Sequence, residues 1–197
     1  ALSSAASDVY KRQGHTHSAG YGRIDFGDGI AQDVLPAINE NTSHTVQMLL
    51  REMQQGKVDK AVLILCPCYG DWSEYVLQAC RDYPEQFTAS AFFDPWSPAA
   101  RQYYAEKLEG PSWKNIKIEF SEAGGLYGVY PGVQLDALEL RWLWEAMEAD
   151  GKTVSFDLGR PGDGSYQTDQ IAAIAKRHPD LKLVLCHMGQ PLSLIHI

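Results

Sequence analysis

The sequence predicts an α/β fold built around a parallel sheet. Apolar segments of strand length alternate with amphipathic segments of about ten residues or more, which is typical of βαβ units. Six strand segments lie between His15 and His187, at an average spacing of about 34 residues, close to the size of one βαβ repeat. Because parallel strands need a long crossover connection, this rhythm indicates that each helix links two parallel strands.

The elements follow one another in a regular order. The first strand carries the histidines of Gly14-His15-Thr16-His17, and a polar loop from Ser18 to Asn41 follows. A helix capped by Thr42 or Ser43 comes next and stops at Gly56. Further strands are predicted at 58–66, 87–93, 115–120, 152–158 and 181–187, and further helices at 71–83, 98–108, 135–147 and 168–177.

Two architectures fit six strands. An eight-unit (β/α)8 barrel of the TIM type needs about 250 residues, so this chain would hold about six of the eight units. We therefore expect an incomplete barrel, cut short at its C-terminus. The alternative is an open doubly wound sheet, which six strands could complete. No GxGxxG sequence follows the first strand, so the dinucleotide-binding version of that fold has no support.

The faces of two strands favour the barrel. In strand 152–158 apolar residues alternate with polar ones, and the polar face includes Asp157. In strand 115–120 the polar face carries Lys117 and Glu119. A sheet covered by helices on both sides should be apolar on both faces. Here one face becomes polar toward the carboxyl ends of the strands, where barrel enzymes keep their active sites.

Composition narrows the possible partners. The net charge of -8 and the pI near 5.2 argue against nucleic acid or an anionic membrane as a partner. No apolar run approaches the ~20 residues of a membrane helix. We expect a cytoplasmic protein with reduced cysteines, a small-molecule substrate and a possible homo-oligomeric state. Cys66-Pro67-Cys68 lacks a second cysteine pair at zinc-finger spacing, which disfavours a structural zinc site.

Both ends of the chain look foreign to the domain. Residues 1–13 lack the apolar core of a signal peptide and resemble translated adapter sequence, and residues 193–197 have the same character. We therefore expect one partial barrel domain over residues 14–192, flanked by non-native tails. On this interpretation His196 has no functional role.

The histidine pair is the first candidate for chemistry. Side chains alternate between the faces of a strand, so His15 and His17 project the same way. Two imidazoles on one face make half of a metal site. A second histidine, His187, sits at the carboxyl end of the last predicted strand, in the run Leu183-Val-Leu-Cys-His187-Met-Gly. Taken alone, the pair would be better explained as two loop histidines without a ligand.

These motifs together resemble the amidohydrolase superfamily, and more narrowly the amidohydrolase-2 group of metal-dependent hydrolases and decarboxylases. The resemblance covers about residues 14–191. It rests on the His15-Thr16-His17 motif and on His187-Met188-Gly189. It is also supported by three connecting segments, namely Val58-Asp-Lys-Ala-Val, Tyr83-Pro-Glu-Gln-Phe and His178-Pro-Asp-Leu-Lys-Leu.

The resemblance implies a (β/α)8 barrel with a divalent metal, commonly zinc, at the carboxyl ends of the strands. His15 and His17 would be metal ligands, and His187 would handle protons or orient the substrate beside the metal. The family's histidine ligand on the fifth strand is replaced here by Asp157, whose carboxylate is also a suitable ligand. The family's aspartate ligand on the eighth strand falls beyond the end of this chain.

The expected function is that of a metal-dependent hydrolase with a metal-activated water. The alternatives are a non-oxidative decarboxylase on the same scaffold and an inactive metal-binding fragment. His187 and Asp157 are the candidate catalytic residues, and Arg160 and Glu119 are the candidate substrate-binding residues. Plainer roles are open for three of these: Asp157 could cap a turn or pair with Arg160, Arg160 could be a solvated loop charge, and Glu119 could form a buried ion pair with Lys117.

Overall fold

The computed structural model describes residues 17–25, 29–34, 36–37, 40, 44–66, 71–121 and 124–189. The chain divides into two compact units, of which the first ends at Ala89 and the second begins at Ser90. The segments predicted to be foreign tails, 1–13 and 193–197, lie outside the described residues.

The first unit begins with a small antiparallel sheet in the strand order β1-β2-β3. The sequence predicts a loop here, and for these residues that prediction was wrong. Strands of three or four residues are too short to show an alternating pattern. The sheet consists of β1 (His17–Gly20), β2 (Arg23–Asp25) and β3 (Ala31–Asp33).

The rest of the first unit comprises two helices and two strands, which are α1 (Val46–Gly56), β4 (Ala61–Ile64), α2 (Ser73–Asp82) and the first half of β5 (Phe87–Phe92). Strand β4 is the sheet neighbour of β5. The helices pack on the strands through a core of four buried residues, Val46, Met53, Ala79 and Phe87.

The ends of α1 differ from the prediction. Thr45, rather than Thr42 or Ser43, is the N-cap, and its side chain accepts a hydrogen bond from the Met48 amide at 3.3 Å. At the other end Gly56 is still helical, and Lys57 takes the left-handed conformation with φ 54°. A glycine is the usual residue at that position because it adopts positive φ without strain. The end of the helix was therefore predicted one residue too early, at Gly56.

The second unit contains four parallel strands in the order β5-β6-β7-β8. The strands beyond β5 are β6 (Asn115–Phe120), β7 (Thr153–Leu158) and β8 (Lys182–Leu185). The helices include α3 (Ala100–Tyr103), which continues as a π-helix (Tyr104–Leu108), α4 (Arg141–Ala149) with a preceding 3-10 turn (Leu138–Leu140), and α5 (Thr168–Arg177). Strand β6 and helix α5 have the predicted bounds.

Both faces of β6 and β7 are buried, but their chemistry differs. On the apolar face Ile116, Ile118 and Phe156 are fully buried. On the opposite face the Asn115 amide accepts a hydrogen bond from Ser90 Oγ at 2.6 Å and donates one to Ser155 Oγ at 2.9 Å. The predicted polar face is therefore a buried, hydrogen-bonded layer, as expected for the inside of a barrel.

Among the described helices, none is long and apolar enough to span a membrane. Of the described cysteines, Cys80 and Cys186 are free thiols.

Candidate active site

Strand register brings the polar residues of β6 and β7 to one edge of the sheet. Lys117 aligns with Ser155, and Glu119 aligns with Asp157. Glu119 and Asp157 are each the last residue but one of their strands. Because parallel strands end at the same edge, these carboxylates lie side by side where a barrel places its chemistry.

Lys117 bridges the two carboxylates. Its Nζ lies 3.0 Å from Glu119 Oε2 and 2.7 Å from Asp157 Oδ2. Burial by itself lowers the pKa of Lys117, but the charges and hydrogen bonds of the two carboxylates outweigh burial and raise its pKa above the ordinary value. The ammonium therefore stays charged at neutral pH. The ion pair between Lys117 and Glu119 that the sequence suggested is confirmed, and it extends to Asp157.

Both oxygens of Glu119 are held by groups of the protein. Oε2 contacts Lys117, while Oε1 accepts hydrogen bonds from the Ser121 amide at 3.0 Å and from the Ser121 hydroxyl. The Glu119 side chain is only 1% exposed. Its role in substrate binding remains a prediction, and its contacts are those of an anchored structural carboxylate.

Asp157 differs because one of its oxygens lacks a hydrogen-bond donor among the described residues. Oδ2 contacts Lys117, but Oδ1 is buried and accepts no hydrogen bond from the described residues. His187 Nε2 lies 3.3 Å from Oδ1, without the geometry of a hydrogen bond. Buried carboxylate oxygens normally have a hydrogen-bond partner, so within the described part of the chain Oδ1 is the orphaned acceptor of the site.

His187 follows β8 in a short turn, Cys186–Gly189, and its side chain is 64% exposed. The predicted strand through His187 was wrong for its last residues, since β8 ends at Leu185. His187 and Met188 instead take left-handed backbone conformations, with φ 51° and 55°. Neither is a glycine, so the sequence carried no signal for this turn. The turn brings the imidazole toward Asp157.

The remaining predicted residues are less well placed or lie outside the described residues. Arg160 is exposed in the loop after β7, where its carbonyl accepts a hydrogen bond from the Asp163 amide at 2.9 Å. In the described part of the chain Asp157 pairs with Lys117 and His187 instead of Arg160. His15 lies outside the described residues, and His17 opens β1. Their predicted role as metal ligands remains a prediction.

The cluster of Lys117, Glu119, Asp157 and His187 offers one suitable donor atom for a metal ion, Oδ1 of Asp157. Within the described ranges no group of three or more His, Cys, Asp or Glu side chains is arranged to hold a metal ion. The orphaned Oδ1 of Asp157 nevertheless fits a divalent cation, because carboxylate oxygens are ligands for zinc and for harder ions.

Two residues that the sequence analysis did not single out hold the loops at this edge of the sheet. Ser165 is fully buried, and its hydroxyl accepts a hydrogen bond from the Gly124 amide at 2.6 Å. Gln167 accepts from the Leu135 amide and donates to the Val133 carbonyl, both at 2.9 Å. These bonds tie the segment after β6 to the loop after β7. Their partners are more than 30 residues away in the sequence, so no local motif reveals them.

Comparison with solved structures identifies the fold. Similar structures include an uncharacterized TIM-barrel protein from Bordetella bronchiseptica (TM-score 0.55, 16% identity, 77% of this chain and 54% of that one). They also include 5-carboxyvanillate decarboxylase from Sphingomonas paucimobilis (0.52, 21%, 77% and 54%) and 4-oxalomesaconate hydratase from Rhodopseudomonas palustris (0.52, 17%, 76% and 50%). The chain spans about half the length of these proteins. Its fold is thus part of a TIM barrel, as predicted.

A sequence-family model matches almost the whole chain. A search of curated proteins finds no match. The family model Amidohydro_2, described as Amidohydrolase, matches residues 15–194. This range includes the histidine motif at the start, the charged cluster of β6 and β7, and His187. The chain therefore belongs to the amidohydrolase-2 family.

Proposed function

We propose that this chain carries part of the active site of a metal-dependent hydrolase that acts on a small organic substrate. The observation that supports this proposal best is Oδ1 of Asp157, which accepts no hydrogen bond from the described residues and lies beside His187 at the carboxyl ends of adjacent parallel strands. A buried carboxylate with an unused oxygen, next to an accessible imidazole, suits both cation binding and proton transfer.

The charge of the cluster favours a cation. One ammonium, that of Lys117, faces the two carboxylates of Glu119 and Asp157, which leaves an excess of negative charge. A divalent cation would compensate that charge, whereas an anion would add to it. We propose His15 and His17 as the ligands that complete the set with Asp157. When bound, the metal supplies a water of lowered pKa and polarises a substrate oxygen.

His187 is the proposed proton carrier. Its exposed ring can reach substrate, and the nearby Asp157 carboxylate stabilises the imidazolium that forms when the ring accepts a proton. Arg160, exposed in the following loop, is proposed to contact an anionic group of the substrate.

Non-oxidative decarboxylation is the second candidate, because the structurally similar proteins include 5-carboxyvanillate decarboxylase. In that reaction the carbon–carbon bond to the carboxylate breaks, CO2 leaves, and the remaining carbanion takes a proton. His187 would deliver that proton to carbon, with Asp157 again stabilising its charged form. The same residues therefore serve both reactions, and only the products distinguish them.

The metal is tested first. The purified chain is loaded with Zn²⁺ or Mn²⁺, dialysed, and analysed for metal content. Wild type is compared with the double variant His15→Ala/His17→Ala, and with His44→Ala as control, since His44 is exposed just before α1. We expect the double variant to lose the metal and the control to keep it. Equal metal content in all three proteins would show that the histidine pair is not the site.

The reaction is tested by product analysis in ¹⁸O-labelled water. Candidate substrates are small esters, lactones and amides for hydrolysis and carboxylated aromatic acids for decarboxylation. Incorporation of ¹⁸O without release of CO2 supports the hydrolase, and release of CO2 without ¹⁸O in the organic product supports the decarboxylase. A metal-loaded chain that converts none of them would contradict both proposals and favour a metal-binding fragment.

A further inference from the structure

We infer that Lys117 is a positioning residue: anchored by Glu119, its ammonium holds the Asp157 carboxylate so that Oδ1 faces His187. This inference rests on the proposed function, because it concerns the same site. It assigns Lys117 and Glu119 to the orientation of Asp157 and not to contact with substrate.

The first argument is the register of the strands. Glu119 and Asp157 are direct neighbours across β6 and β7, and neighbouring parallel strands lie about 4.8 Å apart. Like charges placed directly opposite each other destabilise a sheet. Lys117 precedes Glu119 by two residues and shares its face, so its long side chain can reach both carboxylates. The observed distances of 3.0 and 2.7 Å show that it does.

The second argument is that Ser121 fixes one end of this series of side-chain contacts. Ser121 binds Glu119 Oε1 through both its amide and its hydroxyl. Glu119 is therefore held in place and in turn holds the Lys117 ammonium at Oε2. The ammonium takes one oxygen of Asp157, Oδ2, and leaves the other toward His187. The contacts therefore form a continuous series from Ser121, in the loop after β6, to the imidazole of His187, after β8.

The third argument concerns the layer beneath the cluster. Asn115 and Ser155 occupy the same face two residues before Lys117 and Asp157, and they hydrogen-bond to each other at 2.9 Å. Ser90 completes this layer through Asn115. Because these polar groups hydrogen-bond to one another, the contact with Lys117 is the one that orients Asp157 from this face.

The alternative is that Lys117 only neutralises buried charge. Buried ion pairs can often be replaced by apolar or neutral groups without loss of stability. If that were the whole role of Lys117, removing its charge together with that of Glu119 would leave His187 undisturbed. A positioning role predicts the opposite, because Asp157 would then lack the group that fixes its orientation.

The test uses the ring nitrogens of His187 as the probe. The chain is labelled with ¹⁵N-histidine, and its imidazole signals are recorded by long-range ¹H–¹⁵N NMR at constant pH. The chain has six histidines, so His187→Gln identifies the signal. Asp157→Asn defines the shift caused by loss of the carboxylate. The informative variants are Lys117→Met, Lys117→Arg and Lys117→Met/Glu119→Gln, each with a thermal unfolding curve.

We expect Lys117→Met to reproduce most of the shift seen with Asp157→Asn, and Lys117→Arg to stay near wild type. The double variant should regain thermal stability without regaining the wild-type His187 signal. A wild-type signal in the folded double variant would overturn the inference, as would an unshifted signal in Asp157→Asn. If Lys117→Met does not fold, the double variant and Lys117→Arg decide. The measurement needs neither metal nor substrate, so its failure is separate from failure of the proposed function.

Discussion

Asp157 on β7 and His187 just beyond β8 approach each other, with 3.3 Å between Asp157 Oδ1 and His187 Nε2. The aspartate is nearly buried at the end of β7, whereas the histidine is mostly exposed in the turn after β8. A fixed, nearly buried carboxylate thus contacts an imidazole that solvent can reach. It is the contact on which the proposed acid–base chemistry depends.

Replacing Asp157 by asparagine should weaken metal binding. The amide keeps the shape of the side chain but removes the charge that the proposed cation would neutralise. We expect affinity for Zn²⁺ or Mn²⁺ at neutral pH to fall by about tenfold or more, as measured by isothermal titration calorimetry. Asp169→Asn is the control, because Asp169 is exposed on α5. An unchanged affinity in Asp157→Asn would reduce Asp157 to a structural residue.

Lys152 is predicted to be a stabilising residue distant from the site. It is buried before β7, and its Nζ donates to the Gly110 carbonyl at 2.8 Å and to the Trp113 carbonyl at 3.0 Å. Lys152→Met would leave these carbonyls without that donor, at a cost of about 1–3 kcal/mol in the free energy of unfolding. Urea denaturation measures this cost. Lys182→Met is the matched control, since Lys182 reaches the Gly151 carbonyl from an exposed position, and a similar loss there would contradict the prediction.

Gly125 is required by the close approach of Trp96. A methyl group at this position would lie 2.6–2.8 Å from three atoms of the indole ring, so Gly125→Ala should cost about 1–3 kcal/mol through overpacking. Gly164→Ala is the control, because a methyl group there meets no atom within 4 Å. In a Trp96→Leu background the cost of Gly125→Ala should shrink. A cost that is the same in both backgrounds would point to another cause.

Glu148 is predicted to stabilise the fold in a pH-dependent way. Hydrogen bonds from His178 and from the Asp180 backbone lower the pKa of Glu148 below its ordinary value of 4.5. A carboxyl group with a lowered pKa in the folded state stabilises above its unfolded pKa, and this stability is lost as the pH falls through the folded pKa. Glu148→Gln should therefore lower the melting temperature at pH 7, with a difference from wild type that narrows below pH 4.5.

The control for this prediction is Glu145→Gln, which changes an exposed carboxylate on the same helix, α4. The melting temperature of Glu145→Gln should match that of wild type both at pH 7 and below pH 4.5. A Glu148→Gln difference that is constant with pH would show that the contact acts through packing and not through charge.

The parts of the fold that the sequence predicts well are those with strong periodicity. Strand β6 alternates between buried apolar residues and the pair Lys117 and Glu119, and its bounds are those expected. Helix α5 has an apolar stripe with Ile171 and Ile174 buried, and its bounds also agree. In both cases one face must be buried, so the period of the pattern determines the element.

The parts that escaped prediction depend on contacts or conformations that no local pattern encodes. Lys57 and His187 take left-handed backbone conformations that usually mark a glycine. The bridge from Lys117 to Asp157 depends on the register of two strands about 40 residues apart. The polar face of the sheet and the ion pair between Lys117 and Glu119 were predictable from the alternation, whereas the contact between Lys117 and Asp157 was not.

The turn after β8 has a consequence for anyone who transplants this site into another scaffold. Two consecutive non-glycine residues, His187 and Met188, have positive φ, and each such residue costs about 1–2 kcal/mol relative to ordinary backbone. A loop without positive-φ residues would avoid this conformational free-energy cost, but it would orient the imidazole differently. A faithful graft must therefore reproduce the unfavourable backbone together with the ring it carries.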